Sequence, residues 1–319
     1  MIRPIGILAA LALAAPAASM AQSYPTKPIR LVVGFTPGGG VDIAARLLGP
    51  KLTEQLGQQV LVDNKPGAGT NIANEYVAKA APDGYTLLMN TAALAINMSL
   101  YRKLNFDAIR DFAPVSIFSA SPNVQIVHSS IPVKRVKDLI ALARSKPGQL
   151  NYSSAGSGTT QHLAGELFKL RTKTNIVHVP YKGSAPSLTA LIGGEVDLSY
   201  ANIPAIIEHV KSGRLRPLAL TGPKRSALMP EVPTMKESGV DMEVVVWYGV
   251  LAPAGTPGDI VNKLAQAIIK AANSPDMKKR LFDQGAEPVG NTPEEFSKLL
   301  RTEVATWAEV VKVSGARAE

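Results

Sequence analysis

Apolar residues along the chain recur at two periods, and the two alternate. Runs at 29–35, 60–62, 85–89, 115–118, 124–127, 150–154, 176–179, 196–200, 216–220 and 244–251 are short and rich in Val, Ile, Leu and Tyr, as buried strands are. Between them, stretches at 42–58, 71–81, 135–146, 159–170 and 184–192 read as helices. In the first of these, Ala44, Leu48, Leu52 and Leu56 fall on one face. Pro50 is expected to bend that helix or to sit in an irregular turn. Gly and Pro punctuate the series at Pro82-Asp83-Gly84, Pro147-Gly148 and Gly193-Gly194. The alternation predicts α/β layers with largely parallel sheets.

Three further helical stretches, 259–273, 275–284 and 293–313, follow with no strand of their own to cover, so they are expected to pack back on the first unit. That return makes the chain cross between units twice, near 121–124 and near 244–250. The expected organisation is a first lobe of residues 22–122 plus 248–319 and a second lobe of 123–247. Two crossover strands join them, and a hinge between two α/β lobes encloses a cleft.

The composition agrees with a globular protein. Of 319 residues, 46% are hydrophobic and 18% charged, and there is no Cys, which excludes a disulfide scaffold, a thiolate metal site and a cysteine nucleophile. Lys and Arg exceed Asp and Glu by 34 to 25, but the basic residues are scattered and aromatics are only 5%. A nucleic-acid partner is therefore not expected, since strand-binding grooves interleave basic and aromatic residues. The surplus charge is read as surface chemistry that favours the approach of anionic solutes.

The N-terminus reads as an address. Arg3 precedes an apolar run from Ile5 to Ala15, too short to cross a bilayer core of about 30 Å. Small residues at Ser19 and Ala21 predict cleavage before Gln22, which makes residues 1–21 a signal peptide and the periplasm the expected compartment. The uncharged stretch 112–133 is long enough to span a membrane, but Pro114, Pro122, Pro132, Asn123 and Gln125 mark it as interior sheet.

The strongest local feature is the turn Phe35, Thr36, Pro37, Gly38, Gly39, Gly40, Val41, Asp42 between a strand and a helix. Backbone N–H groups at a helix start lack partners and carry partial positive charge, so they bind anions. Asp42 suits the first turn and can pair with Arg46. Taken alone, this loop reads equally well as a tight turn that binds nothing.

The device recurs, however, at Ser154, Ala155, Gly156, Ser157, Gly158, Thr159 and Thr160, where Thr159 can cap the next helix. One such loop per lobe, each at the C-terminal end of a strand, is the placement that α/β ligand sites favour. Each charge-assisted bond contributes roughly 1.5–3 kcal/mol, so about four reach micromolar binding. Tyr181, Lys182, Gly183 and Ser184, at another strand end, are further candidates for the cleft wall, with Lys182 read as a solvated charge. Asp197 is either a cleft-facing carboxylate or a structural one.

Catalytic patterns are not met. Ser157 has Ala155 and Thr159 where a nucleophile elbow needs Gly, Gly39 is not followed by Lys, and the four His are too far apart for a helical zinc pair. No cofactor or metal is expected.

At these residues the sequence resembles the substrate-binding subunits of tripartite tricarboxylate transporters, the Bug family. The resemblance is carried by Tyr24 to Arg30, the Pro37–Asp42 turn with Ala45 and Arg46, Asn64 to Gly69, Ala81 to Leu87, Val179 to Gly183, Pro230 to Thr234, and Trp247 to Gly249 with Ala252 to Pro257. It implies a type II periplasmic binding fold, a ligand carboxylate held at the two glycine turns, and an integral membrane permease as the partner of a single-chain receptor. The sequence departs from the family pattern at Thr70 and Ala73, where Gly is common, and at 235–238. The reading is a periplasmic receptor for a small carboxylate, not an enzyme. A ligand sensor for a signalling kinase and an enzyme acting on a carboxylate, using Asp197 or a loop Ser, are its alternatives.

Overall fold

The computed structural model describes residues 24–318, so the expected signal peptide lies outside the described residues. The chain runs β1 (Ile29–Val33), α1 (Gly40–Leu56), β2 (Val60–Asn64), α2 (Asn71–Ala78), β3 (Thr86–Asn90), α3 (Ala93–Leu100) and β4 (Phe112–Pro122). A second series follows: β5 (Val124–His128), α4 (Val136–Ser145), β6 (Asn151–Ser154), α5 (Thr160–Thr172), β7 (Val177–Pro180), α6 (Ser184–Ile192), β8 (Leu198–Ala201), α7 (Ile203–Lys211) and β9 (Leu215–Leu220). The remainder is β10 (Val245–Pro253), α8 (Gly258–Asn273), α9 (Pro275–Asp283), β11 (Glu287–Pro288) and α10 (Pro293–Ser314).

These strands form two sheets, one in the order β11-β4-β10-β3-β1-β2 and one in the order β7-β6-β8-β5-β9. The chain passes from the first to the second at Asn123, between β4 and β5, and returns between β9 and β10. Val245 already pairs with Pro122, so β10 joins the first sheet from its first residue.

Both sheets are mixed, unlike the largely parallel ones expected. β1, β2 and β3 are parallel, as are β6, β7 and β8, but β10 runs antiparallel to both β3 and β4, and β5 runs antiparallel to both β8 and β9. β5 is the first strand of the second sheet and β10 the first strand back in the first sheet; the short β11 also runs antiparallel to β4.

Period-two alternation makes the layers of the first sheet. Leu31 and Val33 of β1 point into one core with Leu48, Leu264 and Ile268, whereas Val32 points into the other with Leu88, Phe296 and Trp307. Each such aliphatic side chain taken fully out of water contributes about 1.5–3 kcal/mol. The terminal helices therefore do cover the first sheet, α8 on one face and α10 on the other; α10 also touches α5 of the second series. Helix α1 continues through Pro50, which lies on its exposed side. The hydrogen bond lost there is to the carbonyl of Arg46, whose side chain is also on the exposed face. Among the described residues, no helix is long and apolar enough to cross a membrane.

Candidate functional site

The parallel strands β1 and β6 both end at the gap between the sheets, and each hands over to a helix there through a glycine turn. Gly39, Gly40, Val41, Thr159, Thr160 and Gln161 line one cavity, so the first turns of α1 and α5 face each other across it. The cavity encloses about 510 Å³ of empty space, its mouths included. The N-terminus of α6, after Gly183, and that of α7, after Asn202, open on the same space. Helix N-termini carry partial positive charge, so several converge here on a cavity whose own lining holds no charged side chain.

The glycine turns themselves are internally bonded. Gly38 donates its N–H to Asp42 Oδ2 at 2.9 Å. Ala155 donates to Gln161 Oε1 at 2.8 Å, Gly156 to Ser154 Oγ at 3.1 Å, and Gly158 to His162 Nδ1 at 3.2 Å. In α1 the first intrahelical donor is Ile43, to the Gly39 carbonyl at 2.9 Å, and in α5 it is Leu163, to the Thr159 carbonyl at 3.1 Å. The N–H groups of Gly40, Val41, Thr160 and Gln161 precede those donors and have no acceptor among the described residues. The free donors are thus the helix starts, beginning with the last glycine of the first turn.

Several expected site residues have other work. Asp42 is buried and binds Arg46 Nε and Gly38 N–H, each at 2.9 Å through Oδ2, and Asn64 Nδ2 at 2.9 Å through Oδ1. Burial acts to raise its carboxyl, but these partners outweigh that and hold it below the usual carboxylate range. It braces the turn from behind and does not line the cavity. Ser154 is buried, its Oγ 2.7 Å from His178 Nε2. Ser157 and Gly158 form a contact between the two units: a Cβ on Gly158 would lie 2.2 Å from Asn97 Oδ1, and one on Gly69 would lie 2.8 Å from the Ser157 carbonyl.

Asp197 sits away from the cleft. β8 runs parallel to β6, so its cleft end is Ala201, and Asp197 precedes its first residue, accepting from Asn151 N–H at 2.8 Å. Strand direction, invisible to composition, puts it at the wrong end. Phe35, Thr36, Gly39, Gly40, Val41, Ala155, Thr159 and Thr160 line the central cavity. Gly38 lines its extension on one side, and Gly156, Tyr181 and Lys182 its extension on the other.

His162 and His178 stack beneath the second turn with ring centroids 4.0 Å apart. Burial pushes His162 down to about 4 and His178 to about 3, and each ring's remaining neighbours include Lys169. A neutral His162 is what the Gly158 N–H needs, because a protonated ring has no lone pair to accept it.

The lining also includes polar residues outside the sequence expectation, among them Asn123, Gln161, Asn202 and Tyr248. Tyr248 is buried, its Oη accepting from Asn202 Nδ2 at 3.2 Å; burial raises its hydroxyl, against the pull of Ser121 and Asn202, and keeps it neutral. Asn123 is the most telling. It is fully buried, its backbone is tied to Thr221, and both its side-chain Oδ1 and Nδ2 lack partners among the described residues. The available signal is an amide directly after Pro122, in an uncharged stretch at a predicted crossing. Thr70, on one rim, keeps a left-handed backbone (φ 82°) rare for a β-branched residue, and its Oγ1 accepts from Asn74 at 3.2 Å.

Residues 44–316 match the family model described as the tripartite tricarboxylate transporter family receptor. The chain is 39% identical over 317 residues to protein BugT of Bordetella pertussis, covering 98% of this chain and 97% of that one. Among solved structures it is similar to Rpa4515 of R. palustris with adipate, at 40% identity and TM-score 0.87 over 92% of this chain and 99% of that one. It is also similar to the periplasmic binding protein BugD, at 33% identity and TM-score 0.85 over 93% and 100%. The two-sheet architecture is that of the periplasmic binding proteins, as expected from the sequence.

Proposed function

Because the chain belongs to the tripartite tricarboxylate transporter receptor family, we propose that it is an exported receptor that captures a small carboxylate between its two lobes and hands it, unchanged, to a membrane permease. Residues 1–21 act as the export signal and the mature chain works in the periplasm as a monomer. The lobes hinge at Asn123 and at the start of β10. The carboxylate is held by the N–H groups of Gly40 and Val41 from one side and of Thr160 and Gln161 from the other, with Asn123 and Tyr248 at the base.

The observation that carries this reading is Asn123. A buried amide with neither its donor nor its acceptor satisfied costs roughly 1–3 kcal/mol per unpaired group, and such a cost is retained where a bound molecule repays it. Its position, in the wall between two facing helix starts, supports an anion that accepts from Nδ2. The adipate bound by a structure 40% identical to this chain supports a carboxylate.

The test is Asn123→Leu, read by calorimetry against a panel of C4–C8 carboxylates and by urea unfolding without solute. The expected result is at least about a tenfold loss of affinity together with a more stable unliganded protein, since a nearly isosteric apolar side chain removes the unpaired groups. Unchanged affinity overturns the reading. Loss of carboxylate uptake in a deletion strain, restored by the intact gene, tests delivery to the permease.

A further inference from the structure

Beside the central cavity, beyond Gly38 and Gly40, lies a chamber of about 870 Å³, its mouth included. The chamber shares Gly39, Gly40, Gln161, Ser184, Asn202 and Tyr248 with the central cavity, so the two adjoin across these residues. Its far walls are hydrocarbon from both lobes: Ile43, Ala44 and Leu47 of α1 and Leu281 of α9 on one side, Leu188 of α6 and Pro204 of α7 on the other. No residue lining the chamber or the central cavity carries a charge. Among the residues lining the three adjoining spaces, Lys182 alone does, and it stands on the opposite side, where the cavity continues past Phe35 and Thr36.

We propose that the solute is a monocarboxylate with an uncharged apolar body of about six to eight carbons, its head between the first turns of α1 and α5 and its body in this chamber. The inference rests on the carboxylate-receptor reading and narrows it. Apolar carbon gains on leaving water for such walls. A second carboxylate carried to the same place loses its hydration and meets Leu47, Leu188 and Leu281 and no cation, with only the neutral Ser119 and Ser121 hydroxyls and the Gln284 amide as polar neighbours. A diacid has a partner only by turning the other way, toward Lys182, which leaves the hydrocarbon walls facing water.

Calorimetry with hexanoate, octanoate, the diacids of equal length (adipate and suberate) and octanamide distinguishes these cases. Octanoate is expected to bind at least about tenfold more tightly than suberate, and hexanoate more tightly than adipate. Leu188→Lys, which puts a cation into the chamber wall, is expected to weaken octanoate by about tenfold or more and to strengthen suberate. Leu47→Lys serves the same purpose from the other lobe should the first variant misfold. Diacids bound as tightly as monoacids, or a lysine variant that changes neither, overturn the inference and leave the receptor reading standing. Octanamide bound as tightly as octanoate, or no binding by any acid, overturns the receptor reading itself.

Discussion

The two turns that face each other across the cleft present helix starts in the same way but are braced by different chemistry. Behind the first, a buried carboxylate, Asp42, gathers Gly38, Asn64 and the half-exposed Arg46. Behind the second, the supports are neutral: the Gln161 amide, the Ser154 hydroxyl and the stacked rings of His162 and His178. A charge brace works while a carboxylate is ionised, and a histidine brace works while the rings are not. The second turn should therefore be the first to fail in acid.

The largest expected effect is on pH dependence. The folded values near 4 and 3 lie below the ordinary histidine value of 6.5. Above that ordinary value both folded and unfolded chains hold neutral rings, and stability is independent of these groups. Below it the unfolded chain takes up protons that the folded one excludes. Stability is then lost as the pH falls toward the folded values, with a slope reaching about 2.7 kcal/mol per pH unit for two protons. Urea unfolding between pH 7 and 5 measures this, and His178→Phe should halve the slope. A flat profile would dissolve the contrast between the turns. Asp42 has the opposite window: its carboxyl is held below the usual range, so its contribution is complete above that range and is lost only as the pH falls through its lowered folded value.

Asp42→Ala is next, at about 3 kcal/mol of stability at pH 7, because it strands the Gly38 N–H and the Asn64 amide while water can take over Arg46. The remaining pair of substitutions uses two glycines with the same backbone. Gly38 and Gly158 both have φ near +82°, but a Cβ on Gly38 meets nothing within 4 Å, whereas one on Gly158 meets Asn97 and Leu100 across the cleft. Gly158→Ala should lower solute affinity by about a hundredfold, equivalent to about 2.7 kcal/mol, by holding the lobes apart, which small-angle scattering would register as an expanded particle. Gly38→Ala should cost only about 1 kcal/mol of stability, the strain of the left-handed backbone, and leave closure intact.

Sequence legibility divided along similar physical lines. Period and punctuation were visible: amphipathic helices such as α1 and α8, the strands, and the glycine turns all follow from local rules. Helix α3 was missed because it is buried nearly all round, so its apolar residues have no period to read. Helix α7 was missed although Pro204 stands at its start. Strand direction is set by the route between sheets, so local pattern leaves Asp197 open between a cleft-facing and a structural role, and mixed sheets stand where parallel ones are expected. The support behind the turns depends on side chains far apart in sequence, so the Asp42–Asn64 bond and the His162–His178 stack have no local signal.

The return of β10 to the first sheet also has a consequence for how the molecule is made. In that sheet β10 lies between β3 and β4, so until it arrives β3 keeps an open edge and β4 has no neighbour on that side. β10 begins roughly 150 residues after β3 ends, a longer span to close than those from β5 to β8 and β9 in the second sheet, which is built from one unbroken run. The second lobe can therefore complete its ladder while the first is still waiting for its keystone strand, and a chain stopped short of Val245 would carry an aggregation-prone half beside a finished one.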